Sequence, residues 1–549
     1  MNRKLFYFGW YMLLTCTTFA FSRQDTLRGG NGNGRKWWDV LHYELSVSFD
    51  IQTQSIQGAN QITAKIISSP HDSLQLDLKE LMFLDSVCMH NTKLHIVKEG
   101  NVWWVIHPFS EMPDSTIFTL TAYYHGKPKT AAMPPWDGGF IWTTDSLHNP
   151  WIAVACQGTG ASLWWPCKDY QGDEPDLGVD LHFYIPEGLY CVSNGQLTGI
   201  HPPGKHVHNF LHQADGTEYS YKVKNPINNY NVSFYIGDYV HWEENLEGLN
   251  GRLPIRYYAL RYNEAKARKH FQMVPQMLHC FESWLGPYPF YEDGYSLVEA
   301  PYLGMEHQSA VAYGNNYQQG YKGTDRSATG VGMLFDHLIV HESGHEWFGN
   351  SITAHDMADN WIHEGFTSYS EVLYIECISG KENAYTYSLG TRRNIRNDKP
   401  VRGIAGIHQG GSVDQYDKGA AIVHMIRIIL NDDSRFRSLL QELNQHFRHR
   451  IISSDSLEAY IIQHTGYPFE KFFEQYLHTT QIPVLEWYVK DKKLFYRFKH
   501  AVEGFSLPIA IKGGAKENAL IHPTTQWQHI KWKSGFDVSF PEDFLIKIE

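Results

Sequence analysis

Cysteine is scarce in this chain: seven residues in 549, none in a C-x-x-C pair. Such sparse spacing excludes a disulfide scaffold. Cys156 and Cys167 are near enough in sequence to bridge in an oxidising compartment, and the sequence leaves that pairing open. Positive charge is also in the minority. Lys and Arg number 47 against 59 Asp and Glu, the net charge is -12, and no long basic run occurs, which argues against a nucleic-acid partner. Internal repeats are missing, and GGNGNGRK near the start is the one biased tract. After the first twenty or so residues no apolar run is long enough to cross a bilayer. What remains is an ordinary globular composition, 42% hydrophobic and 19% charged, long enough for three or four domains. Aromatic residues are plentiful at 14%, and a large binding cleft is one cause of such a content.

The N-terminus has the pattern of an export signal. Arg3 and Lys4 precede the mostly apolar Leu5–Phe21, and Ala20-Phe21-Ser22 is a small-x-small cleavage site. Residues 1–22 are therefore expected to be removed, giving a secreted or periplasmic protein with no stable membrane span. An uncleaved anchor and a lipoprotein acylated at Cys16 are the alternatives, and Thr15 is a poor residue before an acylated cysteine. Residues 23–36, with their glycines, are expected to be a flexible linker.

From 37 to 240 the apolar residues alternate, as in Leu45, Val47 and Phe49, or Leu181, Phe183 and Ile185, which predicts a large β domain. The stretch Ala155–Asp176 breaks that rhythm and is expected to be a long, ordered loop. From 241 to 479 the period becomes helical, with helices expected over Ala265–Leu285, Arg326–Asn350, His363–Ser379, Gly419–Leu430, Ser434–Arg448, Ser456–His464 and Phe469–Leu477. Alternation returns over 480–549, predicting a short C-terminal β module. The expected class is multidomain α+β.

One stretch organises the rest: HESGHEWFGNSITAHDMADNWIHE, His341 to Glu364. On a helix, residues four apart share a face, so His341 and His345 can grip one Zn²⁺ while Glu342 takes a proton from the metal's water. Glu364 supplies a third ligand, leaving the fourth position open. Glu371, seven positions on, lies on the same helical face and could orient a ligand histidine. The bland alternative is an amphipathic helix with solvated histidines.

HExxH, eighteen residues and then Glu resembles the pattern of the zinc aminopeptidases related to aminopeptidase N and leukotriene hydrolase, the gluzincins. Trp347-Phe348-Gly349-Asn350 and Glu364-Gly365-Phe366 agree with it. Leu303-Gly304-Met305-Glu306-His307 is similar to the family's GAMEN motif, Tyr416-Asp417-Lys418-Gly419 to its Tyr-x-Lys-Gly element, and Cys156-Gln157 to its amine-binding loop. The resemblance implies a saddle-like N-terminal β domain, a thermolysin-like, mostly helical catalytic domain and a small C-terminal β-sandwich. Larger relatives add a helical repeat domain after the point where this chain ends, which implies a more open cleft here. The sequence departs from the family at four places near the site. Leu303 replaces the first Gly of GAMEN and His307 its final Asn, Glu346 replaces a Gln, and His363 an Asn.

The implied function is a zinc metallo-aminopeptidase with one zinc per chain and free-N-terminus peptides as substrates. Glu342 acts as general base and Tyr416 as oxyanion donor, while Glu306 and Gln157 bind the α-ammonium beside Gly304 and Met305. Two alternatives stand beside it. Leukotriene hydrolase opens an epoxide and carries an acid eight positions before its tyrosine, where this chain has His408. A peptide-binding or scaffold protein could also keep the fold without the catalysis.

Overall fold

A computed structural model describes residues 21–205, 216–513, 517–532 and 538–549. The expected signal segment and Cys16 thus lie almost entirely outside the described residues.

The alternating N-terminal sequence builds two larger sheets and a three-stranded one of Ser73–Asp77, His95–Glu99 and Val102–Ile106. Trp38–Asp50 pairs antiparallel with Ser55–Ile66 and parallel with Val179–Ile185, setting Leu45 beside Leu181 and Val47 beside Phe183 in an eight-stranded sheet. A four-stranded sheet contains Gly139–Thr144, Pro150–Ala155, Tyr190–Ser193 and Phe234–Gly237. Inward-facing side chains of both, including Val47, Phe183, Phe140 and Phe234, form one core, as strands with period two require. Pro150–Ala155 runs straight into Cys156-Gln157, so this sheet delivers Gln157 to the domain boundary.

A five-stranded mixed sheet follows, with Gly304–Met305 as its short edge strand against Val311–Tyr313. Helices pack behind it: α2 (Glu264–His270), α3 (Val274–Leu285), α4 (His337–Gly344), α5 (Trp361–Ser379), α6 (Lys381–Thr391), α7 (Asp417–Leu430), α8 (Asp433–His446), α9 (Ser454–Thr465) and α10 (Glu470–His478). The chain ends in a four-stranded and a three-stranded sheet. Apolar residues of this C-terminal part, Leu485, Phe498, Leu507 and Ile511 among them, join the same core as the preceding helices. Tyr476 of α10 donates to the Leu545 carbonyl across the seam at 2.9 Å.

Several expectations are corrected. Residues 23–36 are not a flexible linker. Ser22 caps a helix, Arg23–Gly29 (α1), through a capping box. Arg35 is fully buried, pairs with Asp77 and donates to the carbonyls of Arg28, Gly30 and Asp169. The glycines read as a linker are turns in a strap that this arginine ties down. The helix expected over Arg326–Asn350 shrinks to α4, because the Asp325 carboxylate takes the backbone N–H groups of Ser327, Thr329 and Gly330 in competition with helix formation. The helix over Ala265–Leu285 is interrupted by a 3-10 turn at Phe271–Met273, since Pro275 in the first turn of α3 has no N–H to continue an α ladder. Cys156 and Cys167, whose pairing the sequence leaves open, are both free and buried. The disulfide joins Cys280 of α3 to Cys377 of α5.

Candidate metal centre and substrate cleft

Asp336 caps α4, accepting from the N–H groups of Leu338 and Ile339, and fixes where the helix starts. His341 and His345 then lie one turn apart, and the turn after α4 folds the chain back so that α5 brings Glu364 beside them. The three present ligand atoms within 4.8 Å of one another. Glu364 Oε2 stands 3.6 Å from His341 Nε2 and 3.3 Å from His345 Nε2. A tetrahedral site with bonds of about 2.0–2.2 Å has edges of about 3.3–3.6 Å, so the spacing suits zinc.

Each imidazole is oriented from behind. His341 Nδ1 donates to Glu371 Oε1 at 2.8 Å, and His345 Nδ1 to the Phe348 carbonyl at 2.9 Å, turning both Nε2 atoms inward. Glu371 also receives the Tyr387 hydroxyl at 2.6 Å and lies close to His337, so it is committed to support. Burial works against charge on His341, but Glu364 and Glu371 overcome it and raise the imidazole to about 10. Burial likewise opposes ionisation of Glu364, yet His345 and His341 hold it well below the carboxylate range. Glu364 Oε2 is buried and accepts no hydrogen bond. An ionised carboxylate with a free lone pair, facing two inward-turned imidazole nitrogens, is the donor set that a divalent ion satisfies.

Glu342 lies beside the triad in the same cavity of ≈ 280 Å³. Burial pushes its carboxyl up to about 7; His341 opposes the rise and Glu306 adds to it. A Cβ on Gly304 would lie 2.6 Å from Glu342 Oε1 and 2.8 Å from Leu338 Cδ1, so the edge strand passes directly beside the Glu342 carboxylate. Met305 is buried on the same wall. Tyr416, immediately before α7, sets its ring 5.9 Å from that of His341. Burial and the carboxylates of Glu364, Glu306 and Glu342 keep its phenol protonated.

Glu306 projects from the end of the edge strand into the cavity. Gln157 Nε2 donates to its Oε1, crossing the domain boundary, and Tyr230 donates to the same oxygen at 3.2 Å. Asn350 Nδ2 holds the Glu306 carbonyl at 2.9 Å, and Asn231 Nδ2 holds Asn350 Oδ1 at 2.7 Å. The structure therefore brings together His341, Glu342, His345, Glu364, Glu371, Tyr416, Gln157, Gly304, Met305 and Glu306.

It also adds residues that sequence reasoning passed over. Tyr230 sits in the run Asn228-Asn229-Tyr230-Asn231, whose density of turn-forming amides inside a β domain was the available signal. Arg28 donates to the Gly158 carbonyl at 3.1 Å and to that of Thr159, so the N-terminal strap braces the loop carrying Gln157. His408 spends its Nε2 on the Gly158 carbonyl. The departures are accommodated. His307 Nδ1 bonds the Tyr235 hydroxyl at 2.6 Å, and His363 Nε2 accepts the Ala354 N–H at 2.7 Å. Burial holds both imidazoles neutral, near 3. Burial raises the Glu346 carboxyl to about 8, and its oxygens accept the Ser309 N–H at 2.9 Å and the Tyr288 hydroxyl at 3.0 Å.

A peptidase family M1 domain matches residues 270–476. Among curated proteins, endoplasmic reticulum aminopeptidase 1 of Mus musculus is 21% identical over 469 residues, covering 77% of this chain and 46% of its own. Leukotriene A-4 hydrolase of Xenopus laevis is 22% identical over 77% of this chain and 68% of its own. The chain spans about half the length of the first curated relatives it matches. In fold it is similar to the M1 zinc metallopeptidase of Deinococcus radiodurans bound to a Tyr-Ser-Ala substrate, with a TM-score of 0.67 and 18% identity. That similarity covers 82% of this chain and 96% of the other. Yeast LTA4 hydrolase gives 0.63 at 18% identity, covering 81% and 68%. The domain match falls on the helices that carry the ligand triad, and the fold around them is similar to that of the M1 zinc metallopeptidases.

Proposed function

We propose that this protein is an exported zinc aminopeptidase that removes residues from the free N-terminus of peptides. The observation that carries the reading is Glu306, a buried carboxylate held by Tyr230 and Gln157 in the cavity that also contains the triad and Glu342. A carboxylate so placed pairs with an α-ammonium by a charge-assisted bond and sets the first peptide bond over the reacting groups. Endopeptidase chemistry has no need of it.

His341, His345 and Glu364 would hold one zinc. When bound, zinc lowers the pKa of its water to about 7 and polarises a carbonyl. Glu342 takes the proton of the attacking water and returns it to the leaving amine. Its raised affinity for a proton suits both transfers. Tyr416, protonated and beside the triad, donates to the developing oxyanion. Before substrate arrives, Gln157 and Glu306 satisfy each other, and the incoming ammonium replaces the Gln157 donor on the carboxylate.

Export is supported by the N-terminal signal pattern and by the Cys280–Cys377 disulfide, which suits an oxidising compartment. Epoxide opening draws no support from His408, whose Nε2 is spent on a carbonyl. The test is hydrolysis of aminoacyl anilides by zinc-loaded protein, with N-acetylated anilides as controls. Turnover restricted to the free amines is the expected result. Equal turnover of both would refute the aminopeptidase reading.

A further inference from the structure

Large apolar side chains usually find cover, and Trp136 does not. Its indole is 62% exposed, yet it lines the cavity that holds Glu342 and Tyr416. The loop presenting it is stiff. Pro134 and Pro135 fix two φ angles. The Asp137 carboxylate accepts the N–H groups of Ala132 at 2.8 Å and Met133 at 2.9 Å, and Gly138 N–H closes onto the Pro135 carbonyl at 3.1 Å.

Lys322, from the catalytic domain, places its Nζ 5.0 Å from the Trp136 ring centroid. That lysine is itself held. Its φ of 53° lies in the left-handed region, and its N–H donates to Asn315 Oδ1 at 2.9 Å. Asn315 Nδ2 in turn donates to Asp336 Oδ1, the N-cap of the helix carrying His341 and His345. The backbone of Lys322 is thus tied to the helix that carries His341 and His345, and its side chain reaches from there to the indole. A ring held on one face by a cation keeps the other face for an apolar partner.

The side of the cleft follows from the neighbours. Tyr321, next to Lys322, packs against His337, and Arg326 pairs with Asp417 beside Tyr416. Glu306, which takes the amine end, and Asn350, which holds the Glu306 carbonyl, lie on the flank of His345. A peptide running from Glu306 across the triad therefore brings its second residue toward Trp136. We propose that Trp136, propped by Lys322, reads the side chain that follows the scissile bond, favouring peptides whose second residue is aromatic or large and aliphatic. The inference rests on the aminopeptidase reading above.

The experiment compares kcat/KM for Ala-Phe, Ala-Leu, Ala-Ala and Ala-Gly, and for a first-residue series Phe-Gly, Leu-Gly and Ala-Gly. Wild type is set against Trp136→Ala, Trp136→Phe and Lys322→Ala, with unfolding midpoint and zinc content measured alongside. In Trp136→Ala the Ala-Phe to Ala-Gly ratio should fall about tenfold, mostly in KM, the scale of one lost apolar contact surface. Trp136→Phe should keep most of the ratio. Lys322→Ala should lower it by about two- to fivefold, as expected for an exposed cation–π prop, and keeps the test decisive should Trp136→Ala misfold. An unchanged ratio, or a loss confined to the first-residue series, overturns the assignment while leaving the aminopeptidase reading intact. Absence of hydrolysis of every dipeptide by wild type overturns both.

Discussion

Gly365 of α5 and Gly419 of α7 meet backbone to backbone. A Cβ on Gly419 would lie 2.7 Å from the Gly365 Cα, and one on Gly365 would lie 3.0 Å from the Gly419 Cα. The crossing brings Tyr416, just before α7, beside Glu364, just before Gly365. A glycine in a helix normally costs about 1 kcal/mol against alanine, so Gly419→Ala would stabilise an isolated helix. Here overpacking, at about 1–3 kcal/mol, outweighs the propensity gain. The variant should lose stability in denaturant titration and lose kcat through displacement of Tyr416. A gain in stability with full activity would show that the crossing tolerates a methyl group.

The proposed metal ligands can be separated from their support. Glu364→Ala should lose zinc and activity together, and full zinc occupancy by elemental analysis would remove Glu364 from the ligand set. Glu371→Gln keeps the triad but weakens the bond that orients His341. Zinc affinity should fall about 10- to 100-fold, measured by competition with a chelator.

Glu342→Gln should retain zinc and bind substrate while losing nearly all turnover. Tyr416→Phe should lower kcat about 100- to 1000-fold, with little change in KM, through the loss of one oxyanion donor. Near wild-type turnover in Tyr416→Phe would show that the phenol is only a packed ring against His341.

Glu306→Ala should leave zinc in place and sharply raise KM for free-amine substrates. Removing one partner of a buried charged pair costs about 3–5 kcal/mol, including the uncompensated charge left behind. N-acetylated substrates should be poor for both proteins and no worse for the variant. If free amines were cleaved equally well by both, amine recognition would fall to Gln157.

Glu174 provides a pH test away from the triad. It is buried at the domain boundary, accepts from Asn228 at 3.3 Å, and burial raises its carboxyl from 4.5 to about 7. Below pH 4.5 both folded and unfolded chains carry the proton and this group costs nothing. Between 4.5 and 7 the unfolded chain ionises first, so stability falls as pH rises, by about 3 kcal/mol in total, and the cost is constant above 7. Glu174→Gln should remove that slope. Denaturant midpoints at pH 5 and 7.5 should therefore separate further in wild type than in the variant, and equal separations would place the Glu174 pKa near its unfolded value.

Local pattern was enough for much of this molecule. Period two at Leu45, Val47 and Phe49 and helical period around the triad are set by which faces must leave water, a property read within one element. His341, Glu342 and His345 share a helical face by spacing alone, and Glu371 follows Glu364 by two turns. Other features were decided only in three dimensions, because they depend on elements far apart in the chain. Arg35 turned an apparent linker into a strap by reaching Asp77 and the Asp169 carbonyl. Cys280 found Cys377 because α3 packs on α5, while Cys156 and Cys167, closer in sequence, stayed apart. Tyr230 reached Glu306 and Trp136 reached Lys322 across the domain boundary. Periodicity reports which side of an element is buried; it carries no record of which buried sides will meet.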